Sequence, residues 1–572
     1  MAGRSWWSRR RHVFAKNSSL PPLDRFDSTA AARVSRTRGD VLITEFWGSY
    51  VALIAGPDGQ DFTVLRDPSG ALPCYTLRHG EVTFISSDIE TLDATGQVSL
   101  AIDWCNLAGH LRLLDRRTPA SCLTGLTEVL AGQRIDVFRP NLPADMRWSP
   151  WAFASNPNCG PTTAIIEGLE ATIDSTVHAW ARSFEHILLA ISGGLDSSIL
   201  AAALKMSGVK TTLLTMATDE LGGDERLYAR AVAEALDLPM VEAFHNLEGI
   251  DVARATSSHL PRPLFSAFGQ SEHETKFALS RDLGIDAFFT GIGGDNVFCY
   301  VQSAAPVVDR FRIDGWSAGI FQTASDVCTL TGATVPQVVG HAVKRQFAGV
   351  HYRWAAETDL LSKDTWAISP EKVLHPWLVA PKDALPGKYV HVGMLARIQG
   401  TIDGFSRWVA PQINPLLSQP IVEACLRIPT WQWIEAGRNR AMARLAFKGR
   451  LPSMIIDRRS KGGPESFACQ VVDSNRETLK ALLLDGLLAQ NGVIDTKAVA
   501  TCLSDPAPIS IERQKRLALL AEAEAWARVW HDPKARRYPP SGRYEGSPAS
   551  GANADIAPPF PGQDLPAASA RT

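Results

Sequence analysis

The chain has 572 residues, of which 45% are hydrophobic and 21% charged, a composition typical of soluble proteins with sizeable cores. Its 58 lysines and arginines nearly balance its 60 aspartates and glutamates, so the formal net charge is only −2. This balance disfavours a general nucleic-acid binder. No apolar run approaches the roughly 20 residues of a membrane span, and no apolar signal segment follows the basic start. We therefore expect a cytoplasmic protein with neither a nucleic-acid nor a membrane partner.

Nine cysteines are scattered along the chain, an odd number with no CxxC pair. This usage favours a reducing compartment over a disulfide framework or a zinc site.

The N-terminal part of the sequence predicts strands rather than helices. Residues 1–39 are rich in Lys and Arg and are predicted to form a basic, solvated arm. In residues 40–140, short apolar or alternating runs such as VLITEFWGSYVALIAG alternate with Gly, Pro and Asp turns, which predicts a β-rich sandwich. Residues 141–160 contain many Pro, Asn and Trp residues and are predicted to be a linker.

The hydrophobic period changes at residue 161. Four short apolar strands are predicted between helical patterns: HILLAIS (186–192), TTLLTMAT (211–218), PMVEAF (239–244) and DAFFTGI (286–292). One of these helical patterns is DERLYARAVAEALDL (224–238), with Asp224 and Glu225 as helix caps. Alternating strands and helices predict an α/β domain with a parallel sheet over residues 161–532, mostly helical from Gly315 onward. The Pro-, Gly-, Ala- and Ser-rich tail, 533–572, is predicted to be disordered.

The first predicted strand of the parallel sheet runs into a glycine-rich loop and then a helix. Two glycines allow consecutive N–H groups to face one anion, and the helix N-terminus adds its dipole. A carboxylate beside a phosphate is favourable only if a cation lies between them, so Asp196 predicts Mg²⁺. The loop has no Lys after its glycines and is not a Walker A loop. The predicted phosphate-binding residues are Ser192, Gly193, Gly194, Leu195, Asp196, Ser197 and Ser198.

A second strand, within DAFFTGIGGDNVF (286–298), also ends in a glycine-rich loop with one acid, Asp295. Loops at the carboxyl ends of parallel strands meet where such sheets bind ligands. We therefore expect Asp196 and Asp295 to hold one Mg²⁺ on a triphosphate. The residues at neighbouring strand ends that we expect to contact the rest of that ligand are Thr215, Met216, Thr290 and Gly291.

The SGGLDSS loop, together with FWGSYVALI…LRDPSGALPCYTLRHGEVTFISSD (46–88) and GLTEVLAGQRI (125–135), resembles the asparagine synthetase superfamily over roughly residues 40–530. The resemblance implies an N-terminal glutaminase-like (Ntn-type) domain and an ATP-pyrophosphatase domain of the PP-loop, adenine nucleotide α-hydrolase-like type. Such enzymes are expected to adenylate a carboxylate with release of pyrophosphate. An amine then attacks the acyl-adenylate.

Two departures from that superfamily change the expected reaction. Members that use glutamine carry a nucleophilic Cys at residue 2, where this sequence has Ala2. The N-terminal domain is therefore expected to be vestigial, with no glutaminase chemistry. In the second loop, Ile292 stands where asparagine synthetases carry a Glu before Gly-Ser-Asp, which argues against asparagine as the product.

The C-terminal half resembles the lasso peptide cyclases in two segments, PQINPLLSQPIVEACLRIPTWQW (411–433) and GRNRAMARLAFKGRLPSMIIDRRSKGG (437–463). The resemblance implies ATP- and Mg²⁺-dependent macrolactam formation. The side-chain carboxylate of an Asp or Glu in a precursor core peptide would be joined to that peptide's N-terminal amine. It also implies a leader-peptide-binding protein and a leader protease as partners. Lys461, in the Arg-x-x-Lys context, corresponds to the superfamily's catalytic Lys.

Three arginines before this lysine, Arg438, Arg440 and Arg444, face either phosphate or peptide, or are merely surface charges of a helix. Two alternatives to the cyclase remain open. One is a small-molecule amide ligase of the same superfamily, either an ammonia-dependent asparagine synthetase or a β-lactam synthetase-like enzyme. The other is a non-catalytic scaffold that binds ATP or peptide.

Overall fold

The structure is a computed structural model. It describes residues 12–16, 22–23, 25–56, 61–139, 142–218, 224–264, 269–348, 354–367, 375–403, 410–459, 465–505 and 507–532. The tail predicted to be disordered, 533–572, and the predicted catalytic Lys461 lie outside the described residues.

Two antiparallel sheets dominate the N-terminal part, as the alternating runs predict. Their strand orders are β3-β4-β8-β9 and β6-β5-β7, and β1 pairs with β2 beside them. The elements are β1 His12–Ala15, α1 Ser28–Arg36, α2 Asp40–Thr44, β2 Phe46–Ser49, β3 Val51–Ala55, β4 Phe62–Arg66, β5 Tyr75–His79, β6 Val82–Ser86, α3 Ile89–Ala94, α4 Trp104–Arg112, β7 Leu126–Glu128, β8 Gln133–Asp136 and β9 Asp145–Met146.

Three features of this region differ from the sequence-based predictions. The run predicted as a strand begins with helix α2, which buries Val41, Leu42 and Ile43 together. A strand would point alternate side chains to opposite faces and could not bury three consecutive residues on one side. Part of the predicted arm is not solvated, because Val13 and Phe14 of β1 are buried. Residues 145–146 of the predicted linker pair with β8 as strand β9.

The C-terminal part alternates strands with helices and then becomes almost entirely helical, as the change of period predicts. Its elements are α5 Trp151–Ala154, α6 Thr162–Ala181, β10 His186–Ala190, α7 Leu195–Ser207, β11 Lys210–Ala217, α8 Arg226–Leu236, β12 Met240–Phe244, α9 Gly269–Leu283, β13 Ala287–Phe289, α10 Gly294–Val297, α11 Ala305–Asp314, α12 Ala318–Thr331, α13 Val335–Phe347, α14 Pro386–Ile398, β14 Gln412–Ile413, α15 Gln419–Arg427, α16 Ala441–Phe447, α17 Ser453–Ile456, α18 Glu465–Ser474, α19 Arg476–Leu484, α20 Leu487–Gln490, α21 Thr496–Ser504 and α22 Ile511–His531.

The predicted parallel sheet is confirmed. Its five strands have the order β12-β11-β10-β13-β14, and each neighbouring pair is parallel. The chain proceeds from β10 outward to β11 and β12 on one side, and the later strands β13 and β14 lie on the other. The switch point of this topology lies between β10 and β13, and ligands of open α/β sheets bind outside the carboxyl ends of the strands at such a point.

Five buried charged side chains join the N-terminal sheets to the rest of the chain. Glu128 accepts hydrogen bonds from Arg66 at 2.7 Å, Arg117 at 2.6 Å and Arg262 at 3.0 Å. Asp403 accepts from Arg117 at 2.6 Å and from Arg262 at 2.5 Å. None of the five side chains is more than 5% exposed. We call them the buried charge cluster. Its carboxylates are shared by both halves, so the two halves are fixed to each other.

No helix within the described ranges combines the length and the apolar character needed to cross a membrane.

Candidate active site

A cavity of about 870 Å³ lies at the carboxyl edge of the parallel sheet, and we call it the edge cavity. The loops after β10 and β13, the end of β11 and residues 439–459 contribute to its wall. The site residues predicted from the sequence that line it are Ser192, Gly194, Leu195, Asp196, Ser197, Thr215, Met216, Thr290, Gly291, Asp295, Arg440 and Arg444. Residues distant in the sequence are thus brought together at the predicted ligand-binding edge.

The loop from β10 to α7 has the shape expected of an anion cradle. Gly193 has a φ of +60°, and a Cβ there would lie 2.2 Å from Cβ of Tyr228, so only glycine fits. Gly194 caps α7, whose first residues Leu195, Asp196 and Ser197 line the edge cavity. Ser198 is fully buried beneath the loop and donates to the Gly194 carbonyl at 2.8 Å. The helix N-terminus therefore faces the cavity with its positive dipole.

The loop from β13 to α10 packs directly on the first loop. A Cβ on Gly294 would lie 2.3 Å from Cγ of Asp196, so this close approach also requires glycine. The short helix α10 is held from behind by α14. Asn296 donates to the carbonyl of Met394 at 2.8 Å, and His391 Nε2 lies 2.9 Å from the carbonyl of Val297. These contacts fix Asp295 beside Asp196.

The two carboxylates predicted to bind Mg²⁺ converge on a single point, and in this structure the guanidinium of Arg440 lies there. Arg440 Nη1 is 2.9 Å from Asp196 Oδ2 and 2.6 Å from Asp295 Oδ1. The Arg440 side chain is 13% exposed and that of Asp196 is 11% exposed. A cation is thus favoured at this point, and two hard oxygen donors suit Mg²⁺, which takes its remaining ligands from water and phosphate.

Arg458 holds the β10–α7 loop from the side, a role the sequence does not reveal. Its Nη1 donates to the carbonyl of Gly193 at 3.1 Å, and its Nη2 donates to Glu225 at 2.6 Å. Its guanidinium also stacks 3.7 Å from the ring centroid of Tyr228. Glu225 occupies the N-cap position of α8, as predicted, but its side chain makes no capping hydrogen bond and pairs with Arg458. Asp224 accepts from the N–H of Arg226 at 3.0 Å.

The other two predicted substrate arginines have protein partners. Arg444 is buried and donates to the carbonyls of Asn439 at 2.8 Å, Arg458 at 3.0 Å and Ile456. Burial, with the charge of Arg440 second, lowers the pKa of Arg444 to about 10. Arg438 lies on the surface and pairs with Asp457 at 2.7 Å. Arg444 thus fixes the backbone around the site, and Arg438 serves as a surface charge.

The far end of the edge cavity lies at the ends of β11 and β12. Thr215 is only 1% exposed there, and Met216 lies beside it. His245 lines the same end, and burial lowers its pKa, so the imidazole is neutral at pH 7. Glu272 pairs with Lys276 at 2.6 Å. Thr215, Met216 and a neutral imidazole at this end leave room for a nucleobase.

The sequence model of the family described as asparagine synthase matches residues 168–384 and 411–528, more than half of the chain. The chain belongs to the asparagine synthase family. Membership assigns it to the ATP-dependent amide ligases, and the family uses ATP, typically with Mg²⁺. Both matched segments contribute to the edge cavity, the first through Asp196 and Asp295 and the second through Arg440. No curated protein matches the chain.

Proposed function

We propose that this asparagine synthase family member is a peptide macrolactam synthetase of the lasso peptide cyclase type. It activates an Asp or Glu side chain of a leader-cleaved core peptide with ATP and joins it to the peptide's N-terminal amine. The observation that carries this proposal is the location of residues 415–420, the Pro-Leu-Leu-Ser-Gln-Pro run within the cyclase-like segment 411–433. A Cβ on Gly293 of the second loop would lie 2.5 Å from Cγ of Leu417, so the segment borders the site of activation.

The β10–α7 loop and the N-terminus of α7 bind the phosphates of ATP in this proposal, and Thr215 and Met216 contact the adenosine. Asp196 and Asp295 would hold Mg²⁺, and the bound ion would supply positive charge against the phosphates. Arg440 leaves the two carboxylates at that stage and remains close enough to pair with phosphate oxygens. Arg458 keeps the carbonyls of Ser192 and Gly193 turned away from the anion.

The proposed reaction has two steps. A carboxylate oxygen of the peptide attacks the α-phosphorus of ATP, and the bond to pyrophosphate breaks. The N-terminal amine then attacks the acyl carbon, AMP leaves with the electrons of the C–O bond, and the amine proton passes to solvent. Negative charge develops on the acyl oxygen in the second step, and we assign its stabilisation to Lys461. Preorganised donors of this kind are worth roughly 10²–10³ in rate.

The N-terminal sheets form a glutaminase-like scaffold without glutaminase chemistry in this proposal. Cys74, the first cysteine of the sequence, is fully buried, and burial raises the pKa of its thiol to about 12. It therefore remains a thiol at neutral pH rather than a nucleophilic thiolate. The amine must come from the peptide itself. A leader-binding protein and a leader protease would deliver that peptide.

The deciding experiment incubates the chain with ATP, Mg²⁺ and the leader-cleaved core peptide encoded beside its gene. We expect pyrophosphate release and a peptide lighter by one water, with the new bond between the N-terminus and an acidic side chain. Asp196→Asn serves as the control and should weaken the use of Mg²⁺–ATP. Efficient asparagine formation from aspartate and ammonia would contradict the cyclase proposal. Absence of pyrophosphate release with peptide would favour a binding scaffold.

A further inference from the structure

A tyrosine in the wall of the edge cavity lies against the arginine that joins the two predicted Mg²⁺ ligands. Tyr300 lines this cavity, and Cζ of Arg440 lies 5.5 Å from the centroid of the tyrosine ring. A guanidinium within about 6 Å of an aromatic centroid is attracted by the negative charge of the ring face. The proposed activation chemistry gives Tyr300 no role.

The Tyr300 side chain is fixed at both of its ends. Its backbone N–H donates to the carbonyl of Asp295 at 2.8 Å, and its hydroxyl accepts from Nε2 of Gln302 at 3.0 Å. The preceding residue, Cys299, is fully buried and has a φ of +51°, an uncommon value for a residue other than glycine. The ring and the carboxylate of Asp295 therefore belong to one short, well-held segment, residues 295–300.

Arg440 and Mg²⁺ compete for the same carboxylate oxygens. Nη1 of Arg440 lies 2.9 Å from Asp196 Oδ2 and 2.6 Å from Asp295 Oδ1, so it occupies the point at which both carboxylates would bind an ion. A divalent ion enters only after the guanidinium has moved away. Every contact that stabilises Arg440 in this position therefore raises the Mg²⁺ concentration that is needed to displace it.

The contact with the ring acts against a repulsion between arginines. Burial and, second, the charge of Arg440 lower the pKa of Arg444, so the two guanidinium groups repel each other. Nε of Arg440 donates to Asn439 Oδ1 at 3.3 Å, which is a long hydrogen bond. Among the described residues, the ring of Tyr300 is thus the main attraction on Arg440 besides the two carboxylates.

We propose that Tyr300 is a positioning residue that holds Arg440 between Asp196 and Asp295 and thereby sets the concentration at which Mg²⁺ replaces the arginine. Tyr300 acts only through Arg440 and does not itself bind the ion. The inference rests on the proposed function in one respect, because it takes the two carboxylates to be the Mg²⁺ ligands.

The test is a titration of the full chain with MgCl₂ in the absence of nucleotide, in which the melting temperature reports binding. Tyr300→Leu removes the ring and should lower the half-saturating Mg²⁺ concentration about two- to fivefold, the range of one partly exposed cation–π contact. Tyr300→Phe keeps the ring and should match the wild type. Phe321→Leu, at an aromatic side chain of α12 that is 72% exposed, is the matched control and should also match the wild type.

A double variant shows whether Tyr300 acts through the arginine. In the Arg440→Ala background, Tyr300→Leu should cause no further change in the half-saturating Mg²⁺ concentration, because there is no guanidinium left for the ring to hold. An equal change in both backgrounds would overturn the inference, as would a wild-type titration curve for Tyr300→Leu alone.

Measuring cyclisation by the wild type separates this inference from the proposed reaction. Cyclisation together with an unchanged Mg²⁺ dependence in Tyr300→Leu would overturn the role of Tyr300 and leave the reaction standing. A lowered half-saturating concentration in Tyr300→Leu, without any cyclisation by the wild type, would support the role of Tyr300 and contradict the reaction.

Discussion

The guanidinium of Arg440 holds together two carboxylates that in the proposed reaction hold Mg²⁺. Its backbone has a φ of +54°, an uncommon value for a residue other than glycine. Such a conformation costs about 1–3 kcal/mol and tends to persist where the surroundings over-determine it. Here the two ion pairs at 2.9 and 2.6 Å offset that cost. Arg440 therefore prevents Asp196 and Asp295 from repelling each other before nucleotide binds.

Replacing this arginine should tighten the binding of free Mg²⁺. In Arg440→Ala the two carboxylates lose their cation, so a divalent ion no longer competes with a tethered one. We expect Mg²⁺ without nucleotide to raise the melting temperature of the variant at lower concentration than that of the wild type. Arg438→Ala removes an exposed arginine paired with Asp457 and is the matched control. Equal Mg²⁺ dependence in all three proteins would show that the carboxylates do not form a cation site.

The role of Lys461 can be tested by measuring ATP binding and amide formation separately. Lys461→Ala should leave the Kd for ATP within about twofold of the wild type, because the loop and helix bind the phosphates. Product formation should fall roughly 10²–10³-fold, since a charged donor in the transition state is lost. Lys448→Ala, at an exposed lysine of the same sequence segment 437–463, should be as active as the wild type. Undiminished product from Lys461→Ala would show that the role is misassigned.

Whether a site residue could be predicted from the sequence depends on whether it belongs to a local motif or makes a contact that is distant in the sequence. Asp196 and Asp295 follow recognisable strand-to-helix loops, so local pattern was enough to place them together. Arg440 lies 244 positions from Asp196, and Arg458 lies 265 positions from Gly193. No local pattern connects such pairs, because only the packing of α16 and α17 against the sheet edge brings them into contact.

At the level of elements, the loop between β10 and α7 is stabilised from three directions. Arg458 lies just after α17, and its guanidinium donates both to Gly193 of the loop and to Glu225, which precedes α8. The Arg458 side chain is only 9% exposed, so these contacts are shielded from water. The arrangement preorganises the anion cradle before ATP arrives.

Loss of this contact should weaken ATP binding. Arg458→Ala leaves Glu225 without its 2.6 Å partner and frees the loop carbonyls to turn toward the phosphates. We expect the Kd for ATP to rise about 10- to 100-fold, the range of hydrogen bonds to charged groups. Arg458→Lys keeps the charge without the fork and should be intermediate. Arg476→Ala on α19, which removes a pair with Asp473 at 2.7 Å, should leave the Kd unchanged. Wild-type affinity in Arg458→Ala would refute the assignment.

The elements themselves were predicted best where the pattern was long and regular. Strands β10, β12 and β13 and helix α8 lie within the segments that the sequence indicated, and β11 begins at Lys210, just before its predicted segment. Strand β14 has only two residues, Gln412 and Ile413, and no periodicity can be detected over that length. Helix α2 was mistaken for a strand because Val41, Leu42 and Ile43 are β-branched or apolar, and only tertiary burial decides their conformation.

For the whole molecule, the buried charge cluster fixes the N-terminal sheets to the catalytic part. Burial opposes ionisation of Glu128, but Arg117, Arg262 and Arg66 outweigh it and hold the pKa of this carboxyl well below its usual range. A depressed pKa stabilises the fold above the unfolded-state pKa of about 4.3, and the contribution is lost as the pH falls toward the folded value. The cluster therefore stabilises the protein at neutral pH and weakens in strong acid.

Removing the central carboxylate should be costly. Glu128→Gln leaves the guanidinium groups of Arg66, Arg117 and Arg262 with one buried carboxylate, Asp403, among them. We expect a loss of about 3–5 kcal/mol in the free energy of unfolding, measured by urea denaturation. The variant should also show a flatter dependence of stability on pH below about 4. Asp473→Asn, at a partly exposed pair, is the control and should change stability by less than about 1 kcal/mol. A change below 1 kcal/mol in Glu128→Gln would contradict this account.

The same cluster is completed only late in the synthesis of the chain. Arg66, Arg117 and Glu128 leave the ribosome first, and their remaining partners Arg262 and Asp403 follow much later. At about 5–20 residues per second, the interval is on the order of tens of seconds. During that time Arg66, Arg117 and Glu128 lack the two later members of the cluster. The buried charge cluster therefore cannot hold the two halves together until most of the chain has been synthesised.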